Sequence, residues 1–425
     1  MNWTSIVRLG LVQTSLGAIV VMMTSALNRV MVVELALPAL VPGLLIAIHH
    51  AVQVLRPAWG HGSDSTARRT PWIVGGMAML ALGGFVAALG VASGRSWGAL
   101  AIAALGFLGV GLGAGAAGTS VLATLASGVA PERRAGAATL VWVMMIFGFA
   151  LTAPLAGHFL DPYSPTRLVA VTGTVCGCAF LLSLFAVWGI ETSASARPGK
   201  RPLRVALAEV WQDREARRFT LFIFVSMLAY SAQELLVEPF AGLVFGLPPG
   251  VTTKLAGLQH GGVLIGMLLV AALSRRIGSL RGWTVVGCLA SAASLVGLAA
   301  SGKLGADPLA LRLCVGALGV SNGVYAVAAI GSMMGLAGAG AKGREGARMG
   351  VWGAAQALAF ALGGIVGTGL ADLVRLGGAS ALDAYAFVFV IEAAVFVGAG
   401  ELARRLGGAR NAAPATAPIL GGHHV

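Results

Sequence analysis

The chain has 425 residues, 57% of them hydrophobic and 11% charged, with 62 glycines and a formal net charge of +13. Soluble domains carry roughly 25% charged residues, so the composition excludes an ordinary water-soluble enzyme. The apolar residues come in runs of about 20, enough to cross a bilayer as helices, and not as the short alternating segments of a transmembrane barrel.

The first run, Val7–Val33, is too long and too polar at its end for a cleavable leader. It closes on Asn28-Arg29-Val-Met-Val-Val-Glu34. Charged groups at membrane depth are costly and usually face a bundle interior. Arg29 and Glu34 are five apart, a spacing that does not pair on a regular helix, so each is expected to reach another helix. The second run, Leu40–Trp59, carries His49, His50, Gln53 and Arg56. His49 and Gln53 share a face, as do Gln53 and Arg56. Next comes Gly60 to Arg69, reading Gly-His-Gly-Ser-Asp-Ser-Thr-Ala-Arg-Arg. It fits G-x-x-x-D-x-x-x-R-R and resembles the loop between helices two and three of major facilitator proteins. Gly60 permits the turn, Asp64 is expected to pair with a basic group or cap a helix, and Arg68 and Arg69 complete a gating loop.

The third to sixth runs are Trp72–Ala92, Trp97–Gly128, Thr139–Phe159 and Leu168–Ile190. The fourth is rich in glycine, which lets helix backbones approach closely in lipid. Its Gly113-Ala-Gly115-Ala-Ala-Gly118 is not a dinucleotide site, because no strand precedes it. A basic hydrophilic stretch, residues 191–218, follows as a cytoplasmic linker. Part of it, Pro202 to Arg218, could lie as an amphipathic helix on an anionic leaflet.

The second set of runs is Phe219–Phe245, Leu255–Leu273, Trp283–Ala300, Leu309–Ala337, Met349–Leu370 and Tyr385–Leu402. The seventh carries Gln233, Glu234 and Glu238, the two glutamates sharing a face. These read either as proton or substrate contacts or as gate pairs. The eighth begins Gln259-His260-Gly261-Gly262. A neutral imidazole can ligate the magnesium of a chlorin, with a neighbouring glycine leaving room for the macrocycle; the alternative is a histidine bonded to the next helix. The four cysteines lie inside apolar runs and read as packing residues. No metal-ligand spacing, P-loop or nucleophile elbow occurs, so no catalytic residue and no metal site is expected.

The halves echo each other. Arg134 precedes Trp142 by the same spacing as Arg344 precedes Trp352, and the two segments end near Asp161 and Asp372. The expectation is an all-α membrane protein with twelve transmembrane helices, the major facilitator fold of two six-helix halves. Residues 1–190 form the first half, 191–218 the linker, 219–405 the second half, and 406–425 a disordered tail rich in Ala and Pro. Basic residues gather in alternate loops, which by the positive-inside rule places those loops and both termini in the cytoplasm. The net charge is thereby explained by the membrane, and nucleic-acid binding is not expected.

Several segments together resemble the PucC/LhaA family, the bacteriochlorophyll-delivery branch of the major facilitator superfamily. They are Asn28 to Leu35, Gly60 to Trp72, Glu234-Leu-Leu-Val-Glu238-Pro239-Phe240 with Val244-Phe245-Gly246, and Gln259 to Met267. The second run, His49-His50-Ala-Val-Gln53-Val-Leu-Arg56-Pro57, looks closest to a subgroup encoded among photosynthesis genes and labelled a bacteriochlorophyll synthase chain. Prenyl transfer to a chlorin needs aspartate-rich magnesium-diphosphate motifs; the sequence has none, so an enzyme is not expected. The resemblance implies an inner (intracytoplasmic) membrane carrier or chaperone that passes bacteriochlorophyll, or a late precursor, to light-harvesting polypeptides, with bacteriochlorophyll synthase as a further candidate partner. The pigment would be a bound ligand and no cofactor would be covalently attached. Candidate contacts are His49, His50, Gln53, His260, Arg29, Glu34, Glu234 and Glu238. The alternatives are a proton-coupled small-molecule transporter, and a pigment-free assembly factor or subunit of bacteriochlorophyll synthesis.

Overall fold

The structure is a computed structural model, and it describes residues 1–56, 59, 69–190, 211–212, 214–274, 276–303, 307–338 and 345–405. Gly60, Asp64 and Arg68 of the expected gating loop, linker residues 191–210 and 213, and the tail 406–425 lie outside the described residues. Among the described residues, twelve helices follow in order: α1 (Trp3–Glu34), α2 (Leu40–Leu55), α3 (Thr70–Ala92), α4 (Trp97–Gly128), α5 (Pro131–Leu160), α6 (Pro165–Val187), α7 (Arg214–Phe245), α8 (Pro249–Leu273), α9 (Leu280–Lys303), α10 (Pro308–Gly338), α11 (Glu345–Leu376) and α12 (Ala381–Arg404). Eleven of these are long and apolar enough to cross a membrane, and α2 is shorter. The protein is a multi-pass membrane protein.

Local chemistry sets where the helices start. The side chains of Asn2, Ser96, Ser164 and Ser380 accept hydrogen bonds from the backbone N–H three residues on, at 2.9–3.2 Å. This satisfies donors a helix start leaves unpaired. Prolines occupy the opening turns of α3, α5, α6 and α8, where a missing N–H costs nothing. These starts carry α5 back to Pro131, well before the apolar run at Thr139.

The final turns of α1 are wider than an α-helix. Met22–Leu27 and Val30–Glu34 are π-helical, and Leu35 N–H donates to Val30 O, five residues back, at 2.9 Å. An α-helix sets residues five apart about 140° around the axis; a π turn closes on the fifth residue. Arg29 and Glu34 therefore do meet, against the expectation from regular spacing: the Arg29 guanidinium donates to the Glu34 carboxylate.

Each half has its own core. One joins α1 to α6, from Ile6 to Ile190, with Leu235 added from α7. The other runs from Ala216 to Ala403. Glycines close both. A methyl at Gly83 of α3 would lie 2.6 Å from the Val110 nitrogen of α4, and one at Gly262 of α8 would lie 2.8 Å from the Gly316 carbonyl of α10. Such contacts require backbone against backbone.

Candidate functional site

The halves meet most tightly at the end of the bundle where α1 ends and α2 begins. Arg29, itself buried, donates to Glu34 and also to the Leu247 carbonyl between α7 and α8, at 2.7 Å. Asn28 donates to the Leu235 carbonyl of α7 at 2.9 Å. The Asp372 carboxylate, at the end of α11, accepts from the N–H groups of Ala39 and Leu40 at 3.1 and 2.7 Å, capping α2 from the other half. The matching residue at the end of α5, Asp161, faces Lys254 of α8 at 3.8 Å. Each half thus sends an aspartate over the start of the other half's second helix. A helix N-terminus favours that negative charge.

Away from this end the halves part around a cavity of about 220 Å³. Its wall follows Gln13 and Thr24 of α1, His49, His50 and Gln53 of α2 with Arg56 just after it, Trp142 and Phe149 of α5, Met227, Tyr230 and Glu234 of α7, and Gln356 and Phe360 of α11. Most of these positions lie toward the opposite end, where Met1 is tied to the Gly128 carbonyl at 2.6 Å. The described residues therefore form one closed end and one hollowed end.

The sequence candidates separate into two groups. His49, His50, Gln53 and Glu234 line the cavity. Arg29, Glu34 and Glu238 do not; Arg29 and Glu34 hold the closed end, and Glu238 is buried near Ser25, Arg29, Thr252 and Thr253. His260 also lies outside the cavity lining. Its ring packs edge-on against Phe149 of α5 at 4.9 Å, and its Nδ1 has no hydrogen-bond partner among the described residues. Of the gating loop, Arg69 is described: it is buried and donates to the Ala123 carbonyl at 2.7 Å, tying α3 to α4. The four cysteines are unpaired thiols, with Cys176 buried and Cys178 exposed on opposite sides of α6.

Hydrogen bonding distinguishes the two cavity histidines. Arg56 donates to Gln53 Oε1, which turns the Gln53 amide so that its nitrogen meets His49 Nε2 at 3.1 Å. This assignment uses the Nε2 lone pair of His49 and leaves its proton on Nδ1. His50 has no hydrogen bond among the described residues; its ring rests against Phe360 at 4.9 Å and His49 at 4.7 Å. A ligand acceptor in the cavity would find a free imidazole at His50 before one at His49.

Tyr230, Gln13 and Gln356 escaped the sequence reading. Each lies within a long apolar run, carries no motif, and becomes a cavity residue only when α1, α7 and α11 come together. Asp161 and Asp372 had a legible signal, the parallel position after Trp142 and Trp352, though not their cross-half role.

The family model described as PUCC protein matches residues 26–409 of the chain. A protein of Rhodobacter capsulatus named bacteriochlorophyll synthase 44.5 kDa chain is 52% identical over 420 residues, covering 97% of both chains. Protein PucC of the same organism is 30% identical over 424 residues, covering 92% of this chain and 90% of its own. Among solved structures, the nucleoside transporter NupG matches with a TM-score of 0.71 at 11% identity, over 96% of this chain and 99% of that one. A bacterial homologue of the human lysosomal transporter Spinster, inward-facing and unoccupied, matches with a TM-score of 0.66 at 15% identity, over 94% and 95%. The likeness to NupG and Spinster establishes the major facilitator fold. The family match and the two bacterial relatives together place this chain in the PucC family.

Proposed function

We propose that this protein carries or shelters bacteriochlorophyll, or a late precursor of it, in the bacterial inner membrane and hands it to nascent light-harvesting polypeptides. The names of the relatives suggest the pigment. The observation that carries the reading is the central cavity, walled by aromatic and aliphatic side chains, with the unbonded His50 imidazole on its surface. A neutral imidazole is a good ligand for a chlorin magnesium. The apolar walls with a few convergent polar groups have the character of a small-molecule site.

Size sharpens the proposal. Drug-sized ligands fill roughly 300–1,000 Å³, and the cavity is about 220 Å³. As it stands it receives the edge of a ring or one substituent. Full entry requires the halves to separate further at the hollowed end, while the Arg29–Glu34 and Asp372 contacts keep the other end shut. The basic loops put the hollowed end and both termini in the cytoplasm on this reading, so pigment is taken up from that side or from the adjoining leaflet. No nucleophile, base and oxyanion site come together among the described cavity residues, so we assign carriage and no catalysis.

A second reading is favoured by Glu234, which stands in the cavity beside Thr24 and Tyr230. A carboxyl there suits a proton-coupled transporter of a small molecule. One experiment separates the two. The protein is purified in mild detergent from pigmented cells and its near-infrared absorption recorded. Pigment carriage predicts a chlorin band that His50→Ala removes and Glu234→Gln leaves. Proton coupling predicts no band in any variant and proton-driven uptake into vesicles that Glu234→Gln abolishes.

A further inference from the structure

Glu392 lies at the middle of α12, on the far side of α7 from the central cavity. It is only 4% exposed, and neither carboxyl oxygen has a hydrogen-bond partner among the described residues. The two faces of α7 divide the molecule here: Met227, Tyr230 and Glu234 turn to the central cavity, whereas Leu228, Ala229 and Ala232 turn to a separate pocket of about 50 Å³ that Glu392 enters. Gly363 and Gly367 of α11 open this space; a methyl at Gly367 would stand 2.7 Å from the Ala232 methyl and 3.5 Å from Glu392 Oε1. Every other described side chain lining the pocket is apolar. Val366 and Ile391, which line it, are exposed on the outer surface of the bundle, so the pocket reaches the hydrocarbon side.

An unpartnered buried acid destabilises a fold, and a leucine would pack this position better. Its surroundings select the ligand. One carboxyl among aliphatic walls cannot supply the six or so oxygens that a calcium or magnesium ion needs. Mid-span depth keeps phospholipid head groups away, since these stay at the interface. The volume admits a small polar group and excludes a ring system. We propose that this pocket is a second ligand site, independent of the central cavity, which receives through Glu392 the hydrogen-bond-donating end of an apolar molecule dissolved in the bilayer, a long-chain alcohol being the simplest of its class.

The test uses the full chain in lipid nanodiscs and dicyclohexylcarbodiimide. This reagent reaches acids from the hydrocarbon phase. The carboxyl oxygen bonds to its central carbon while the acid proton passes to one nitrogen, and rearrangement keeps every atom, so the adduct weighs one reagent molecule more. Peptide mass spectrometry should find the adduct on Glu392 and lose it in Glu392→Gln. 1-Dodecanol should slow the labelling by the factor 1 + [L]/Kd expected of an occupied site. No adduct at Glu392, or an adduct that dodecanol leaves unchanged, overturns the proposal. Slowing confined to Glu234 would assign the alcohol to the central cavity and overturn it equally. Glu392→Leu should match or exceed the parent in thermal stability; a lower stability would make Glu392 a structural bonding group and also overturn it.

Discussion

The second helix of each half carries histidine near its middle, and the two helices use it differently. In α2, His49 and His50 stand on the cavity wall. In α8, His260 is sealed against Phe149. The difference lies in the neighbours. α8 is gripped on two sides: Gly262, Gly266, Gly319 and Gly323 bring its backbone against α10, and Gly257 brings it against Pro154 of α5. α2 is shorter, and Gly111 of α4 is the glycine that accommodates its His49 backbone. The same residue type becomes a packing group where an aromatic ring of the other half covers it, and an available ligand where its face of the helix turns to the cavity.

The largest effect should come from breaking the α8 seam. At Gly266 an added Cβ would overlap the Val320 carbonyl and lie 2.9 Å from the Val324 nitrogen. Both are backbone atoms that cannot swing aside. Overpacking costs typically 1–3 kcal/mol and more where backbone must move. Gly266→Val should therefore abolish monodisperse protein in size-exclusion chromatography. Gly118→Leu is the control on the open side, because the atoms nearest an added Cβ there are 3.8 Å away. That variant should fold with a melting temperature near the parent's and lose pigment by filling the cavity.

The histidines give the next contrast. His50→Ala should lower bound pigment about tenfold or more, which corresponds to about 1.4 kcal/mol of ligand affinity, with little change in melting temperature. His260→Ala should do the reverse, keeping pigment and losing roughly 0.5–1.5 kcal/mol of stability from the aromatic contact. Equal pigment loss in both variants would end the distinction drawn between α2 and α8.

The closed end offers a smaller effect. Arg29→Met removes the donor to Glu34 and to the Leu247 carbonyl together. A cysteine placed at Ala39 should then react several-fold faster with a membrane-impermeant maleimide, consistent with losing about 1 kcal/mol of closure. Asp372→Asn should be milder still. It keeps one acceptor for the Ala39 and Leu40 N–H groups and loses only the charge, worth about 0.3–1 kcal/mol at a helix N-terminus. The same maleimide assay should register little more than a doubling.

Much of the fold was legible. Apolar runs separated by Arg-rich loops mark the spans, because a bilayer demands a continuous stretch of hydrocarbon side chains whatever the neighbours are. The run from Trp97 to Gly128 matches α4 at both ends. The helix starts at Pro131 and Pro165 reach beyond the apolar runs, since caps and prolines act outside the hydrocarbon. The pairing of Arg29 with Glu34 was hidden, because it depends on π turns that no glycine or proline between them announces.

The amino-acid sequence alone determined that this is a twelve-helix membrane protein in two related halves, with polar groups placed in its first, second, seventh and eighth helices. Those properties are local, set by hydropathy, caps and spacing. Which histidine faces the cavity, which carboxylate holds a gate and which stands alone in lipid-facing walls were decided by tertiary structure. They depend on which helices lie side by side and how closely, and that is a sum over contacts between residues far apart in the chain.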